Sequence, residues 1–385
     1  MKQVTILGAS GSIGSNAVAF LRLHTDKFWL KNVAVKRDWK TALLLCREFG
    51  CAAVSIEDKA AAEEFSNHIR RSDIRVHVGP NGAVELAKDY VDVVVAAIPG
   101  GEGLPSVLSA IHAGNRIALA NKEALVCGGP ALLDLAKKKG IAIIPVDSEH
   151  SAIYQSLLAG NRNEVSSILL TASGGPFRAA SIDEMRKATF KDAIAHPNWR
   201  MGVKNSIDSA TLANKGLELI EAAYLFDCNE RDIEVVIDPA STLHSAVCYR
   251  DGSMIAQLGL PDMRTAIGYG ISWPERFETG VQRLSLSELK RIEFEVVDSE
   301  KFPCLDLARK ALNIGSAGPL VYNAANEEAV SAFMAGRIRL VDIASIIDLC
   351  LGQNISAFEG RLEEVPDLNK AARDFCSLLI DANFE

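Results

Sequence analysis

The chain has 385 residues, of which 48% are hydrophobic and 23% charged, with a formal net charge of −8. That length predicts two or three domains, and the composition is that of a globular chain. An acidic balance argues against a nucleic-acid-binding face, while leaving room for a local basic pocket for a small anion.

Apolar runs such as Val91–Pro99 are far shorter than the ~20 residues of a membrane span. The chain enters a strand almost at once, which predicts no signal peptide and a cytoplasmic protein. Its eight cysteines are scattered without a CxxC, the usage of free thiols in a reducing compartment. Cys127 lies close to the candidate site in sequence, but no adjacent base marks it as a nucleophile. The seven histidines are equally dispersed, which speaks against a His/Cys zinc site.

In chain order, Val4–Leu7 reads as a short strand. Gly8-Ala9-Ser10-Gly11-Ser12-Ile13-Gly14 follows, and then a helical pattern through Ala17, Phe20 and Leu21. Strand, glycine turn and helix form the phosphate-binding half of a dinucleotide fold, because glycines admit the pyrophosphate and the helix N-terminus supplies N–H groups. A tight turn without a ligand is the plain alternative. A second strand is predicted at about Leu30–Val35. Near its end, where an acidic residue often meets the NAD ribose, stand Lys36 and Arg37, then Asp38. Two cations suit a 2′-phosphate and favour NADP, while Asp38 keeps NAD open.

Strand and helix signals then alternate. Ala52–Ile56, Arg75–Val78 and Arg116–Leu119 read as strands, and Val91–Ile98 as a strand covered on both faces. It ends in the glycine-rich turn Pro99–Gly103. Leu104–Ala113 is a helix, and Asn121-Lys122-Glu123 caps the next one. Ile141–Ile144 closes a doubly wound sheet of about seven strands.

Pro145–His150 is the stretch on which the site turns. Were it extended, Asp147 and Glu149 would point to the same side, and like charges held together call for a cation. The other reading is a helix start, with Asp147 or Ser148 as cap and Glu149 in the first turn.

Beyond it, Val165–Thr171 is a strand and Ala172–Phe177 a second glycine turn carrying Ser173, either an anion nest or bare turn chemistry. His196–Gly202 places His196, Trp199 and Met201 in an aperiodic polar loop, a lid or a plug for a neighbouring core. Asp208 or Ser209 is predicted to cap a following helix. Ser209, Asn214 and Lys215 offer donors suited to a phosphate monoester. Glu218 stands one turn beyond Asn214 on the same face, a site residue or a solvated helix carboxylate, and Glu221 on the same helix serves as the control that needs to be no more than the latter. Glu234–Ile237 is a strand, and Ser245–Tyr249 with Met254–Leu258 a hairpin, a platform or a subunit interface. Residues 273–302 read as a linker. From Pro303 onward helical patterns (Leu305–Leu312, Val321–Met334, Leu340–Leu351, Leu368–Ile380) predict a small bundle.

These stretches, with Val146–His150 (VDSEH), Thr171–Phe177 (TASGGPF), His196–Gly202 (HPNWRMG), Asp208–Glu218 (DSATLANKGLE), Pro261–Arg264 (PDMR) and Asn323–Glu327 (NAANE) in order, resemble the 1-deoxy-D-xylulose 5-phosphate reductoisomerase family along the whole chain. The resemblance implies an α/β protein in three parts and a V-shaped homodimer. The parts are a Rossmann-like NADPH domain at 1–147, a catalytic and dimerisation domain at 148–272, and, after the linker, a helical bundle at 303–385. It implies that Asp147, Glu149 and Glu218 bind one Mg²⁺ or Mn²⁺, in line with hard oxygen donors and no thiolate. Lys122, Ser148 and Glu149 would meet the hydroxyl and carbonyl end of a sugar phosphate. Ser173, Ser209, Asn214 and Lys215 would form the phosphate pocket, and His196, Trp199 and Met201 the lid. Gly8, Ser10, Gly11, Ser12, Ile13, Asn121, Glu123 and Gly202 would meet the nucleotide.

One place departs from the family, whose second strand commonly ends in an Ala-Gly-Lys-Asn-like turn. Here it is Val35-Lys36-Arg37-Asp38, which removes a flexible position but keeps the positive charge. Two other readings stay open. A plain NADP-dependent dehydrogenase would need no carboxylate set. An NADPH-sensing protein would bind the nucleotide without consuming it.

Overall fold

A computed structural model describes residues 1–69, 73–195 and 202–384. The chain divides into two compact units: residues 1–124, 132–151 and 262–282 form the first, and residues 125–131, 152–261 and 283–385 the second.

The first unit is built on a seven-stranded sheet, β1 (Lys2–Leu7), β2 (Phe28–Val35), β3 (Ala53–Ile56), β4 (Arg75–Val78), β5 (Val93–Ala96), β6 (Arg116–Leu119) and β7 (Ile143–Pro145). All pairings are parallel, in the order β4-β3-β2-β1-β5-β6-β7. The predicted doubly wound sheet is therefore present, with its seven strands. Val93, Val94 and Val95 are wholly buried, as a central parallel strand requires when helices cover both faces. The order reverses between β1 and β5, and in such sheets ligands bind at the carboxyl ends of the strands flanking that reversal.

Helix Met263–Ser272 also belongs to this unit. Ile267 and Ile271 join the core of Val4, Ile6, Phe20, Phe28 and Val146. Gly268 and Gly270 permit the approach, since a Cβ there would come within 2.9 Å of Phe20 and of Val146. A helix that buries its isoleucines against the first sheet packs with that sheet. Of residues 273–302, those up to 282 stay with the first unit, and the remainder carries a short helix (Leu286–Leu289) and a strand.

The second unit holds a five-stranded mixed sheet. Its members are β8 (Val165–Ala172), β9 (Ile233–Ile237), β10 (Leu243–Tyr249), β11 (Met254–Leu258) and β12 (Glu295–Val296), in the order β11-β10-β8-β9-β12. The predicted hairpin is the antiparallel β10–β11 pair. Helix Ala213–Leu225 covers one face, where Leu219, Ala222 and Ala223 pack with Ile168, Leu170 and Val247. Helices Cys304–Ile314, Ala317–Met334, Asp342–Leu351 and Val365–Phe384 make the predicted bundle. Gly216 lets two helices nearly touch, because a Cβ there would run into the Tyr322 hydroxyl, which donates to the Cys304 carbonyl at 3.0 Å.

The eight cysteines are thiols, six of them buried. Burial pushes the Cys304 thiol up to about 12, so it stays protonated and unreactive. Among the described residues no helix is long and apolar enough to cross a membrane.

Candidate functional site

In the first unit, the turn after β1 meets the end of β5. Gly8 has φ +90°, and a Cβ on it would lie 2.5 Å from the Ala97 carbonyl oxygen. Only glycine allows both the positive φ and this closeness. Gly14 is equally constrained, since a Cβ there would strike the Gly8 carbonyl oxygen. Helix Ser12–Leu23 starts at Gly11 with no side-chain cap. Ser10, Gly11 and Ser12 are exposed there, so the helix presents its first N–H groups to an anion.

Asp38 does something the sequence left open. Its carboxylate caps helix Trp39–Phe49, accepting from Thr41 N at 3.1 Å and Thr41 Oγ1 at 2.6 Å. That role gives Asp38 a local structural use, independent of any nucleotide. Lys36 and Arg37 beside it are exposed, with contacts of 3.3 Å to Glu57 and Asp58. Such pairs are weak in water and open readily to a phosphate.

Asn121 ties β6 to the 98–103 turn. Its Nδ2 donates to the Ile98 carbonyl and, at 3.0 Å, to that of Gly100, while its Oδ1 caps Ala124 N. The predicted cap at Asn121 is therefore present, and Lys122 and Glu123 follow it buried in the first helical turn.

Pro145–His150 is a helix start, so the extended reading is corrected. Helix Ser148–Ser156 begins immediately after Asp147, whose Oδ1 accepts from Ser148 N at 3.1 Å and whose carbonyl accepts from Ser151 N at 2.8 Å. The capping alternative won because orphan N–H groups at a helix start bond a preceding carboxylate. The two acids still keep company. Asp147 Oδ2 lies 2.5 Å from Lys122 Nζ, and Glu149 Oε2 accepts from Ser148 Oγ at 2.6 Å.

In the second unit, Asp208 and Ser209 do not cap the next helix. They lie inside helix Val203–Ala210, and the chain turns through Leu212 at φ +56° before helix Ala213–Leu225. Glu218 is 1% exposed. Lys215 Nζ and Asn214 Nδ2 both reach its carboxylate, as the one-turn spacing requires. Buried like this, the carboxylate needs donors such as these to offset its lost hydration. The turn of Ser173 places Gly174 at φ +82° and Gly175 at φ +65°. A Cβ on Gly175 would collide with the Ser209 carbonyl oxygen. Ser173 and Ser209 are thus brought together by a backbone contact that tolerates no side chain.

Glu221 is not a solvated carboxylate. It is 1% exposed, on a helix buried around nearly its whole circumference. Asn214, Glu218 and Glu221 recur along one side of this helix, the pattern of a solvated stripe, and only tertiary packing buries it. His150, to which the sequence assigns no role, also has no exposure. His196, Trp199 and Met201 lie outside the described residues, and Gly202 begins helix Val203–Ala210.

Three family models match the chain. "1-Deoxy-D-xylulose 5-phosphate reductoisomerase" covers residues 4–129, the C-terminal domain of the same name residues 143–226, and "DXP reductoisomerase C-terminal domain" residues 258–375. A 1-deoxy-D-xylulose 5-phosphate reductoisomerase of Chlorobium phaeobacteroides is 44% identical over 99% of this chain and 100% of its own length. One of Pseudomonas paraeruginosa is 44% identical, covering 97% of this chain and 96% of its own. A solved structure described as DOX-P reductoisomerase in complex with NADPH, fosmidomycin and magnesium superposes with a TM-score of 0.94 at 40% identity, with 100% of both chains covered. The Zymomonas mobilis enzyme in complex with NADPH gives 0.92 at 39%, covering 98% of this chain and 99% of its own.

Proposed function

Because the chain belongs to the 1-deoxy-D-xylulose 5-phosphate reductoisomerase family, we propose that its motif residues divide the family's reaction among a nucleotide crevice, a cation site and a phosphate pocket. The protein is an NADPH-dependent enzyme. It rearranges the carbon skeleton of 1-deoxy-D-xylulose 5-phosphate and reduces the product to 2-C-methyl-D-erythritol 4-phosphate, in non-mevalonate isoprenoid biosynthesis.

For the nucleotide, the uncapped N-terminus at Gly11–Ile13, with Gly8 and Ser10, takes the pyrophosphate. Lys36 and Arg37 flank the 2′-phosphate, with Asp38 held aside as a helix cap. Asn121, Glu123 and Gly202 complete this set. NADPH, when bound, supplies the hydride for the reduction.

Asp147, Glu149 and Glu218 hold one Mg²⁺ or Mn²⁺. The donors fit such an ion, being carboxylate oxygens with no thiolate. A bound divalent ion stabilises negative charge developing on the substrate's oxygens. Lys122, salt-bridged to Asp147, keeps that carboxylate oriented and offers a cation to the substrate's hydroxyl and carbonyl end. Ser148 adds a hydroxyl there. Ser173, Ser209, Asn214 and Lys215 bind the phosphate, and binding energy gained there, away from the reacting carbons, orients the substrate. His196, Trp199 and Met201 are placed over the substrate by the resemblance alone.

The observation that carries this reading is the Asp147–Lys122 pair, with Ser148 and Glu149 following Asp147 directly in the chain and bonded to each other. A second copy of the chain is the proposed partner, at the second sheet, where β11 exposes Met254, Ile255 and Leu258. An apolar edge of that kind is normally covered. The proposed location is the cytoplasm.

The test is NADPH oxidation by 1-deoxy-D-xylulose 5-phosphate with and without Mg²⁺ or Mn²⁺, beside Glu149→Gln. Metal-dependent oxidation abolished by the substitution is expected. Full activity in a chelator, or in the variant, would return the protein to a plain dehydrogenase.

A further inference from the structure

Asp208 carries a carboxylate that the reaction as described does not use. It has no solvent exposure. Its Oδ2 takes a 2.7 Å bond from Lys204 Nζ, one turn earlier on helix Val203–Ala210. Its Oδ1 accepts a 2.8 Å hydrogen bond from Asn326 Nδ2, 118 residues away on helix Ala317–Met334. Asn326 is itself fully buried, and its Oδ1 has no partner among the described residues.

Such an arrangement is a poor way to gain stability. A buried ion pair seldom beats apolar side chains of the same volume, and an orphaned amide oxygen adds a further cost. What the link supplies is direction. It joins two helices at one defined rotation, where apolar packing would tolerate several.

The residue after Asp208 is Ser209. Consecutive helical side chains stand about 100° apart, so fixing where Asp208 points fixes where Ser209 points. Ser209 is also gripped through its backbone by Gly175, which admits no Cβ against the Ser209 carbonyl. Rotation of the helix would therefore disturb both serines of the phosphate pocket at once.

We propose that Asp208 is a positioning residue for the phosphate pocket: the Lys204–Asp208–Asn326 link sets the rotation of helix Val203–Ala210 and with it the direction of the Ser209 hydroxyl. This rests on the reading that Ser209 contacts the substrate's phosphate.

The experiment is steady-state kinetics of the full-length enzyme with Asp208→Asn, Lys204→Gln and Ser209→Ala, singly and with each of the first two combined with Ser209→Ala. Thermal melts and NADPH affinity accompany each variant. Asp208→Asn keeps shape and removes charge. Lys204→Gln is the milder variant, on a half-buried residue, and carries the test if the first fails to fold. Each is expected to raise KM about tenfold with kcat within about threefold and NADPH affinity unchanged, and to have little further effect once Ser209 is Ala. A lowered melting temperature with KM unmoved would overturn the proposal, as would a KM effect that persists in full in the Ser209→Ala background. If Ser209→Ala alone leaves KM unchanged, the phosphate reading of Ser209 fails, and the positioning role falls with it. Ser209→Ala raising KM while the other two do not would sink the positioning role alone.

Discussion

Lys122 Nζ lies 2.5 Å from Asp147 Oδ2, and the two side chains are only 8% and 18% exposed. Shielded this far from water, their attraction is strong, and removing either partner weakens the compensation of the other's charge. Lys122→Ala is expected to lower kcat/KM by about a hundredfold, because Asp147 loses the group that orients it. Steady-state NADPH oxidation measures this. Activity within a factor of two of the parent would show that the pair does not serve the reaction.

Gly8→Ala should act on the nucleotide alone. The new Cβ meets the Ala97 carbonyl at 2.5 Å with φ at +90°, so the turn must move. An increase of at least tenfold in the NADPH dissociation constant is expected, or roughly 1.4 kcal/mol. Fluorescence titration reads it, and unchanged affinity would remove this turn from the pyrophosphate site.

Gly175→Ala combines strain at φ +65° with a collision against Ser209. The expected cost is about 1–3 kcal/mol of stability, with KM for the sugar phosphate raised more than that for NADPH. Urea denaturation and kinetics at varied substrate separate the two effects. Equal rises in both KM values would point to general damage instead.

Asp262 supplies a pH-dependent contribution. It caps helix Met263–Ser272 by accepting from Arg264 N at 2.9 Å, and its carboxylate pairs with the Arg264 guanidinium. That guanidinium hydrogen bond holds the Asp262 carboxyl below its ordinary value. A depressed native value means stability that is present above the unfolded-state value, about 3.9, and lost as pH falls through the native one. Asp262→Ala should therefore cost about 1 kcal/mol at neutral pH, and the gap to the parent should close under acid. Denaturation at pH 7 and at pH below about 3 tests the sign, and a gap that widens in acid would refute it.

How legible the molecule was differs from element to element. Arg75–Val78 and Arg116–Leu119 form strands with the ends that the sequence indicates, because each is a short segment bounded by turn residues. The capping role of Asn121 was legible for the same local reason. Pro145–His150 was harder. A pair two apart suits a strand face as well as a helix start, and only the bonds from Ser148 N and Ser151 N to Asp147 decide between them. Helix Met263–Ser272 carries no local mark of the sheet it joins; its contacts with Phe20 and Val146 are set by packing.

By itself the sequence determined the glycine turn, the parallel seven-stranded sheet, the helical bundle, and the carboxylates and phosphate donors with their spacing. These follow from interactions over a few residues, where periodicity and turn chemistry act. The tertiary structure alone decided that Glu221 and Asp208 are buried, and that Gly175 must be bare because Ser209 lies against it. Each depends on contacts between segments distant in the chain, such as the 118 residues between Asp208 and Asn326. Burial and partner choice are properties of the packed whole, and no local spacing encodes them.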